Sequence, residues 1–171
     1  LTLTGSAVNI SSGTMFHQSG GTVTGAGGLL VNGEYSFTDG THGGTGTTTI
    51  SSTGNGSITG AFSKTISRMI VNDGSLVWSG ATVTFSSGAG LTNNGTFDAQ
   101  SVSGVLGSGG NGSIVNNGTF SRTTGTVNAQ IATAFINNGT TNIQSGTLQS
   151  TLSTSGSGAF VINTGSKYIL S

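Results

Sequence analysis

Glu34, Asp39, Asp73 and Asp98 are the only side-chain carboxylates of this 171-residue chain, and His17 and His42 its only imidazoles. Two carboxyl groups about 5–5.5 Å apart, or about 6.5–9.5 Å apart, would suit retaining or inverting cleavage of a glycosidic bond. Calcium-assisted elimination would need clustered oxygen ligands and a base beside them. A zinc site would need His, Cys or carboxylate ligands brought together, and the chain has no cysteine. None of these groups has a close sequence partner of the right kind, so they converge only if the fold brings them together. The sequence therefore predicts no catalytic residue, no bound cofactor and no metal site.

The cations are equally sparse. Lys64, Arg68, Arg122 and Lys167 balance the four acids to a formal net charge of zero. Affinity for nucleic acid through phosphate neutralisation needs a basic patch, so a nucleic-acid partner is excluded. No apolar run approaches the roughly 18 residues of a spanning helix, and membrane insertion is not expected. With 32 glycines, no proline and only 5% charged residues, the composition differs from that of charged or proline-rich disordered chains. It suits many short strands joined by tight turns.

Repetition supplies the organisation. The phrases "LTNNGTF" at 91–97, "IVNNGTF" at 114–120 and "FINNGTT" at 135–141 mark a register glycine that can be followed through Gly13, Gly33, Gly54, Gly74, Gly95, Gly118, Gly139 and Gly165. Successive intervals are 20, 21, 20, 21, 23, 21 and 26 residues. Four residues before these glycines stand Leu29, Ile50, Ile70, Leu91, Ile114, Phe135 and Val161, which are expected to point into a core. Just before them the chain turns polar, notably at Asn94, Asn117 and Asn138, which are expected to form turn ladders favoured by the tolerance of Asn, Asp and Gly for left-handed backbone. Beyond them, side chains such as Leu76 with Trp78 alternate as in a strand.

A second glycine, as at Gly20, Gly40, Gly60, Gly80, Gly125 and Gly146, closes that strand. About three short strands fit each period, too little chain for helical crossovers. The pattern predicts one all-β domain over 1–171, a right-handed parallel β-helix of about eight circuits of roughly 21–22 residues. Circuits built from hexapeptides would run to about 18 residues, which disfavours the left-handed form.

In this register Asp73 and Asp98 fall in adjacent circuits but four residues apart, and the two histidines fall at different positions. His17 is expected to be able to point inward beside Met15. The segments "TGTTT" at 45–49 and "TVTF" at 82–85 are not expected to join into one uninterrupted threonine plane of the kind an ice-binding solenoid would present. Asn9, Asn55, Asn94, Asn111, Asn117 and Asn138 open N-glycosylation acceptor patterns, a recurrence that follows from the turn repeat itself.

The "NNGTF" and "NNGT" phrases, with "SGTL" at 145–148, resemble the repeats of bacterial secreted or surface β-helix proteins, autotransporter passengers and large adhesins among them. The resemblance implies an extracellular or cell-surface location and a structural or adhesive role, as a fibre subunit or a segment of a longer surface protein. It implies a carbohydrate or cell-surface ligand as the partner class, and polysaccharide-active enzymes share the same fold. "LTLTG" at 1–5 and "KYILS" at 167–171 already alternate like strands and carry no polar cap, so the terminal circuits are expected to associate with other protein.

Overall fold

The computed structural model describes residues 1–86, 88–109 and 111–171. Among these no segment is helical, and almost every strand pairs in parallel with the strand one circuit below and one circuit above. Threonine, valine and isoleucine alternate over three to four residues, which suits a pleated surface with one face buried. Asn-Gly or a single glycine then turns the chain before the next short strand.

Each circuit has three faces. The first stacks eight strands: Val8–Ile10, Leu29–Val31, Thr48–Ile50, Met69–Asn72, Gly90–Asn93, Ser113–Asn116, Ala134–Asn137 and Thr154–Ser155. The second and third are continuous at one end, where Met15–Val23 and Glu34–His42 each run over both. Above them they separate into Asn55–Ile58, Ser75–Trp78, Thr96–Ala99, Thr119–Arg122, Thr140–Ile143 and Ala159–Ile162 on the second face. The third carries Lys64–Ile66, Val83–Phe85, Val105–Ser108, Asn128–Ile131, Thr147–Ser150 and Lys167–Leu170. Equivalent first-face residues recur every 19 to 23 positions, as in Leu29, Thr48, Ile70, Leu91, Ile114, Phe135 and Thr154. At a strand spacing of about 4.8 Å, eight circuits make a rod about 38 Å long.

The core is the lumen of this coil. Leu29, Ile50, Ile70, Leu91, Ile114 and Phe135 are all buried, facing Phe37, Trp78, Phe97 and Phe120 from the second face and Ile66, Phe85 and Ile131 from the third. Phe97 and Phe120, one above the other, stack with centroids 4.8 Å apart and planes 17° from parallel. Large side chains of this kind each stabilise the fold by about 1.5–3 kcal/mol on burial.

Two register expectations need correction. Val161 is not a core residue: it pairs with Asn142 and is 47% exposed. The glycine equivalent to Gly139 in the last circuit is Gly158, whose N–H donates to Asn137 O, rather than Gly165. Longer turns at 11–14 and 51–54 also displace the count locally. Ile50 is buried but shares the column of Val31 and Asn72, not that of Leu29.

The turn glycines are also needed for a different reason than backbone handedness. Gly33, Gly54, Gly74, Gly95, Gly118 and Gly139 all lack positive φ, and no non-glycine residue among those described has it. Instead each glycine lies over a main-chain carbonyl of the circuit below; a Cβ on Gly118 would overlap Gly95 O and come 2.6 Å from Asn94 O. Positive φ is found at the opposite end of the second face, at Gly40 (95°), Gly60 (88°) and Gly125 (99°), and at two marked glycines that fall outside the stacked column, Gly165 (82°) and Gly13 (78°), the position equivalent to Gly33 in the first circuit being Thr14. Gly118→Ala should therefore destabilise the fold by about 1–3 kcal/mol through overpacking against backbone that cannot withdraw. Urea midpoints measure this, and an unchanged midpoint would refute the close-stacking explanation.

Candidate functional site

The doubled asparagine of "NNG" builds two ladders at one corner. Successive residues of a strand point to opposite faces, so one asparagine enters the lumen and the next leaves it. Inside, Asn72 Nδ2 donates to Asn93 Oδ1 (2.7 Å), Asn93 to Asn116 (2.8 Å) and Asn116 to Asn137 (2.8 Å). The same nitrogens donate to the carbonyls of Thr96, Thr119 and Thr140, at 2.8, 2.9 and 3.1 Å. Outside, Asn138 donates to Asn117 (3.0 Å), Asn117 to Asn94 (2.9 Å) and Asn94 to the Asp73 carboxylate (2.7 Å). The inner ladder joins neighbouring circuits and closes the turn in dry surroundings, whereas the outer one is exposed to water.

The lumen is also more polar than alternation alone suggests. Lys64, Arg68 and Arg122 are buried, so three of the four cations of the sequence lie inside. Arg68 donates from Nε to Gly46 O (2.9 Å) and from Nη2 to Gly27 O (2.7 Å), tying together three successive circuits. Arg122 donates from Nη1 to Ala99 O and Ser101 O (both 2.9 Å) and from Nη2 to Val127 O (2.6 Å). Lys64 Nζ donates to Phe62 O (2.7 Å). Burial pushes all three below their ordinary pKa values, opposed by Tyr35 at Arg68, Asp98 at Arg122 and Asp39 at Lys64. Tyr35, whose hydroxyl has no hydrogen-bond partner among the described residues, is pushed up by burial.

His42 sits beside this group. Its Nδ1 lies 2.9 Å from Gln18 Oε1 and its Nε2 2.8 Å from Thr48 Oγ1. Gln18 Nε2 is committed to Thr41 O at 2.9 Å, which leaves Oε1 to accept from the imidazole. The neutral ring thus donates from Nδ1 and accepts the Thr48 hydroxyl at Nε2. Desolvation, followed by the Arg68 charge, pushes its pKa down from 6.5 to about 3.

The residues that could do chemistry are spread along the rod. Asp73 accepts from Asn94 on the outer ladder, and Asp98 accepts from Thr123 N (3.1 Å), Thr123 Oγ1 (2.6 Å) and Gln100 Nε2 (2.8 Å). Asp98 pairs with Val77, placing it four residues beyond Asp73 in register, on the order of 13 Å along the strand direction. Asp39 accepts from the Gly40 N–H at 2.7 Å, and Glu34 is exposed beside an open groove of about 260 Å³ that includes Ser12, Thr14, Asn32 and Thr53. His17 is exposed, with Nδ1 3.0 Å from Ser36 Oγ, and Met15 is exposed with it, contrary to the inward orientation considered for them. Among the described residues no three His, Asp or Glu side chains are placed to hold a metal ion. Threonine does form one short column on the outside of the third face, through Thr22, Thr41, Thr65 and Thr84, which ends at a bulge opposite Ser108.

The ends of the coil are chemically distinct from its flanks. The strands Ala159–Ile162 and Lys167–Leu170 pair on one side only, as do Val8–Ile10 and Met15–Val23 at the other end. Their unpaired edges lie beside apolar side chains: Phe160 is 37% exposed, Ile162 47%, Leu170 63% and Leu1 67%.

Comparison with protein-family models, curated proteins and solved structures gives no match.

Sequence reasoning located Asn94, Asn117 and Asn138 but missed the inner ladder of Asn72, Asn93, Asn116 and Asn137. The doubling itself was the available signal, since two adjacent polar residues in an extended segment place one on the buried face. The sequence reading of Lys64, Arg68 and Arg122 was confined to their being too sparse for a basic patch and did not place them in the lumen. Lys64 and Arg122 each stand two residues from an inward apolar partner, Ile66 and Phe120, which is the same signal.

Proposed function

We propose that this solenoid is a structural segment of an extracellular or cell-surface fibre or adhesin, joined to further β-circuits at both ends. The observation that carries this reading is the pair of open ends: unpaired strand edges beside apolar side chains such as Phe160, Ile162 and Leu170. Such edges are costly in water and act as templates for parallel pairing. Adjoining chain or a second copy would complete them with the hydrogen bonds that join every internal pair of circuits. The outward columns of the second and third faces carry mainly hydroxyl and amide side chains, whereas that of the first face runs through Leu30, Thr49, Val71, Thr92, Val115 and Ile136; a carbohydrate or cell-surface ligand would bind at the polar turns and loops. The interior ladders and arginines join successive circuits through hydrogen bonds, which suits a structural role.

Sizing and cryo-electron microscopy of the isolated chain test the reading. End-to-end association is expected, and it should fall sharply for a variant carrying both Ile162→Lys and Leu170→Lys, because charge on an edge strand opposes pairing. A stable monomer whose first and last circuits face solvent would overturn it. Polysaccharide panels with and without calcium should show no turnover. Reproducible cleavage abolished by changing Asp73 or Asp98 would replace the structural role with an enzymatic one.

A further inference from the structure

The chain contains six Asn-Gly pairs, at 32–33, 55–56, 94–95, 111–112, 117–118 and 138–139. Asn-Gly is the sequence in which a backbone nitrogen most readily attacks the preceding carboxamide, because glycine offers that nitrogen no steric protection. The reaction needs two freedoms: the glycine N–H must be released from any acceptor, and the asparagine Cγ must swing onto that nitrogen.

The fold removes both freedoms at four pairs. The Gly33, Gly95, Gly118 and Gly139 N–H groups donate to Ile10 O, Asn72 O, Asn93 O and Asn116 O, at 3.0, 2.9, 3.0 and 2.9 Å. The carboxamides of the preceding asparagines are fixed in the outer ladders, Asn32 by donation to Asn9 Oδ1 at 2.9 Å and the others as described above. At the fifth pair, Gly56 lies within a strand paired to Tyr35 on one side and Leu76 on the other.

Asn111 and Gly112 differ. They lie between the strands Val105–Ser108 and Ser113–Asn116, and Asn111 is exposed. Gly112 has φ +81°, its carbonyl is anchored by Thr133 Oγ1 at 2.7 Å, and its N–H has no backbone acceptor among the described residues. The same hydroxyl lies 3.5 Å from Asn111 O, and among the described residues neither the Gly112 nitrogen nor the Asn111 side chain makes a hydrogen bond.

We propose that Asn111 is the spontaneous modification site of the folded chain, deamidating while the ladders seal four of the other Asn-Gly pairs and strand pairing holds the fifth. The Gly112 nitrogen loses its proton to solvent base and bonds to Asn111 Cγ, and Nδ2 leaves as ammonia. Water then adds to either carbonyl of the resulting succinimide and breaks its bond to nitrogen, leaving aspartate or isoaspartate at position 111. Each event adds one negative charge to a chain of zero formal net charge.

Incubation of the folded protein at mildly alkaline pH, followed by peptide mapping and enzymatic isoaspartate labelling, tests this. Product at position 111 should form at least on the order of tenfold faster than at any other Asn-Gly pair, because reaction at those pairs requires local opening. In denaturant all six should react at comparable rates, which shows that the contrast belongs to the fold. Asn111→Gln should remove the acidic isoform on isoelectric focusing while leaving the unfolding midpoint unchanged. Equal rates at 111 and at 94, 117 or 138 in the folded protein, or no product at 111, would overturn the proposal.

Discussion

Asn116→Asp should destabilise the solenoid by about 3–5 kcal/mol, while Asn117→Asp, one residue on, should cost less than about 1 kcal/mol. Asn116 is fully buried, and its Nδ2 supplies hydrogen bonds to two acceptors, Asn137 Oδ1 and Thr140 O. Aspartate puts oxygen where those acceptors require a donor and adds a charge with no counter-ion in the ladder. Protonation relieves only part of the loss, since a carboxylic acid offers one hydrogen and the site uses two. Asn117 is exposed, and aspartate there still accepts from Asn138 Nδ2. The outer ladder already contains an aspartate at Asp73, which accepts from Asn94 in the same way. Urea unfolding of the two variants side by side checks the contrast. Equal losses would show that the carboxamides do not divide between lumen and solvent as described.

The contrast also shows how much of the architecture could be read from the residues. The period, the parallel stacking and the inward position of Ile114 were legible because hydrophobic alternation and a recurring turn both report them. Val161 misled because it is apolar and four residues before a glycine, yet the last circuit uses Gly158 as its turn and places Phe160 and Ile162 on the inward columns instead. A period count cannot detect a turn shortened in one place and a loop lengthened in another; hydrogen-bond register can. The close approach of each turn glycine to the carbonyl beneath it was equally hidden, since the sequence shows that glycine recurs and not which neighbour it meets. The buried cations were hidden for another reason. Their charge suggests surface exposure, and it is main-chain carbonyls placed by the turns, those of Gly27 and Gly46 for Arg68, Ala99, Ser101 and Val127 for Arg122 and Phe62 for Lys64, that make their burial tolerable.

That polar lumen makes stability depend on pH through His42. Its folded pKa, about 3, is depressed below the ordinary 6.5 of an unfolded chain. The unfolded state therefore binds the proton first as pH falls, and stability that is complete above pH 6.5 is lost progressively down to about pH 3. The slope is about 1.4 kcal/mol per pH unit, on the order of 5 kcal/mol over the whole window. Two groups around the ring make protonation costly: the Arg68 guanidinium adds like charge, and Thr48 must stop donating to Nε2 and reverse its hydroxyl. Gln18 keeps accepting from Nδ1 in both states, and buried Tyr35 is neutral throughout this range. Carboxylates titrate mainly below about pH 5, so urea unfolding between about pH 7 and 5 isolates the imidazole and should show a loss of about 2 kcal/mol. His42→Met removes the titrating group and should abolish that slope even though it leaves Gln18 and Thr48 without their partner and lowers stability at every pH. His17→Gln, a change at an exposed ring, should retain it. A wild-type protein equally stable at pH 7 and 5, or a His42→Met variant with the same slope, would show that His42 is not held neutral by the lumen.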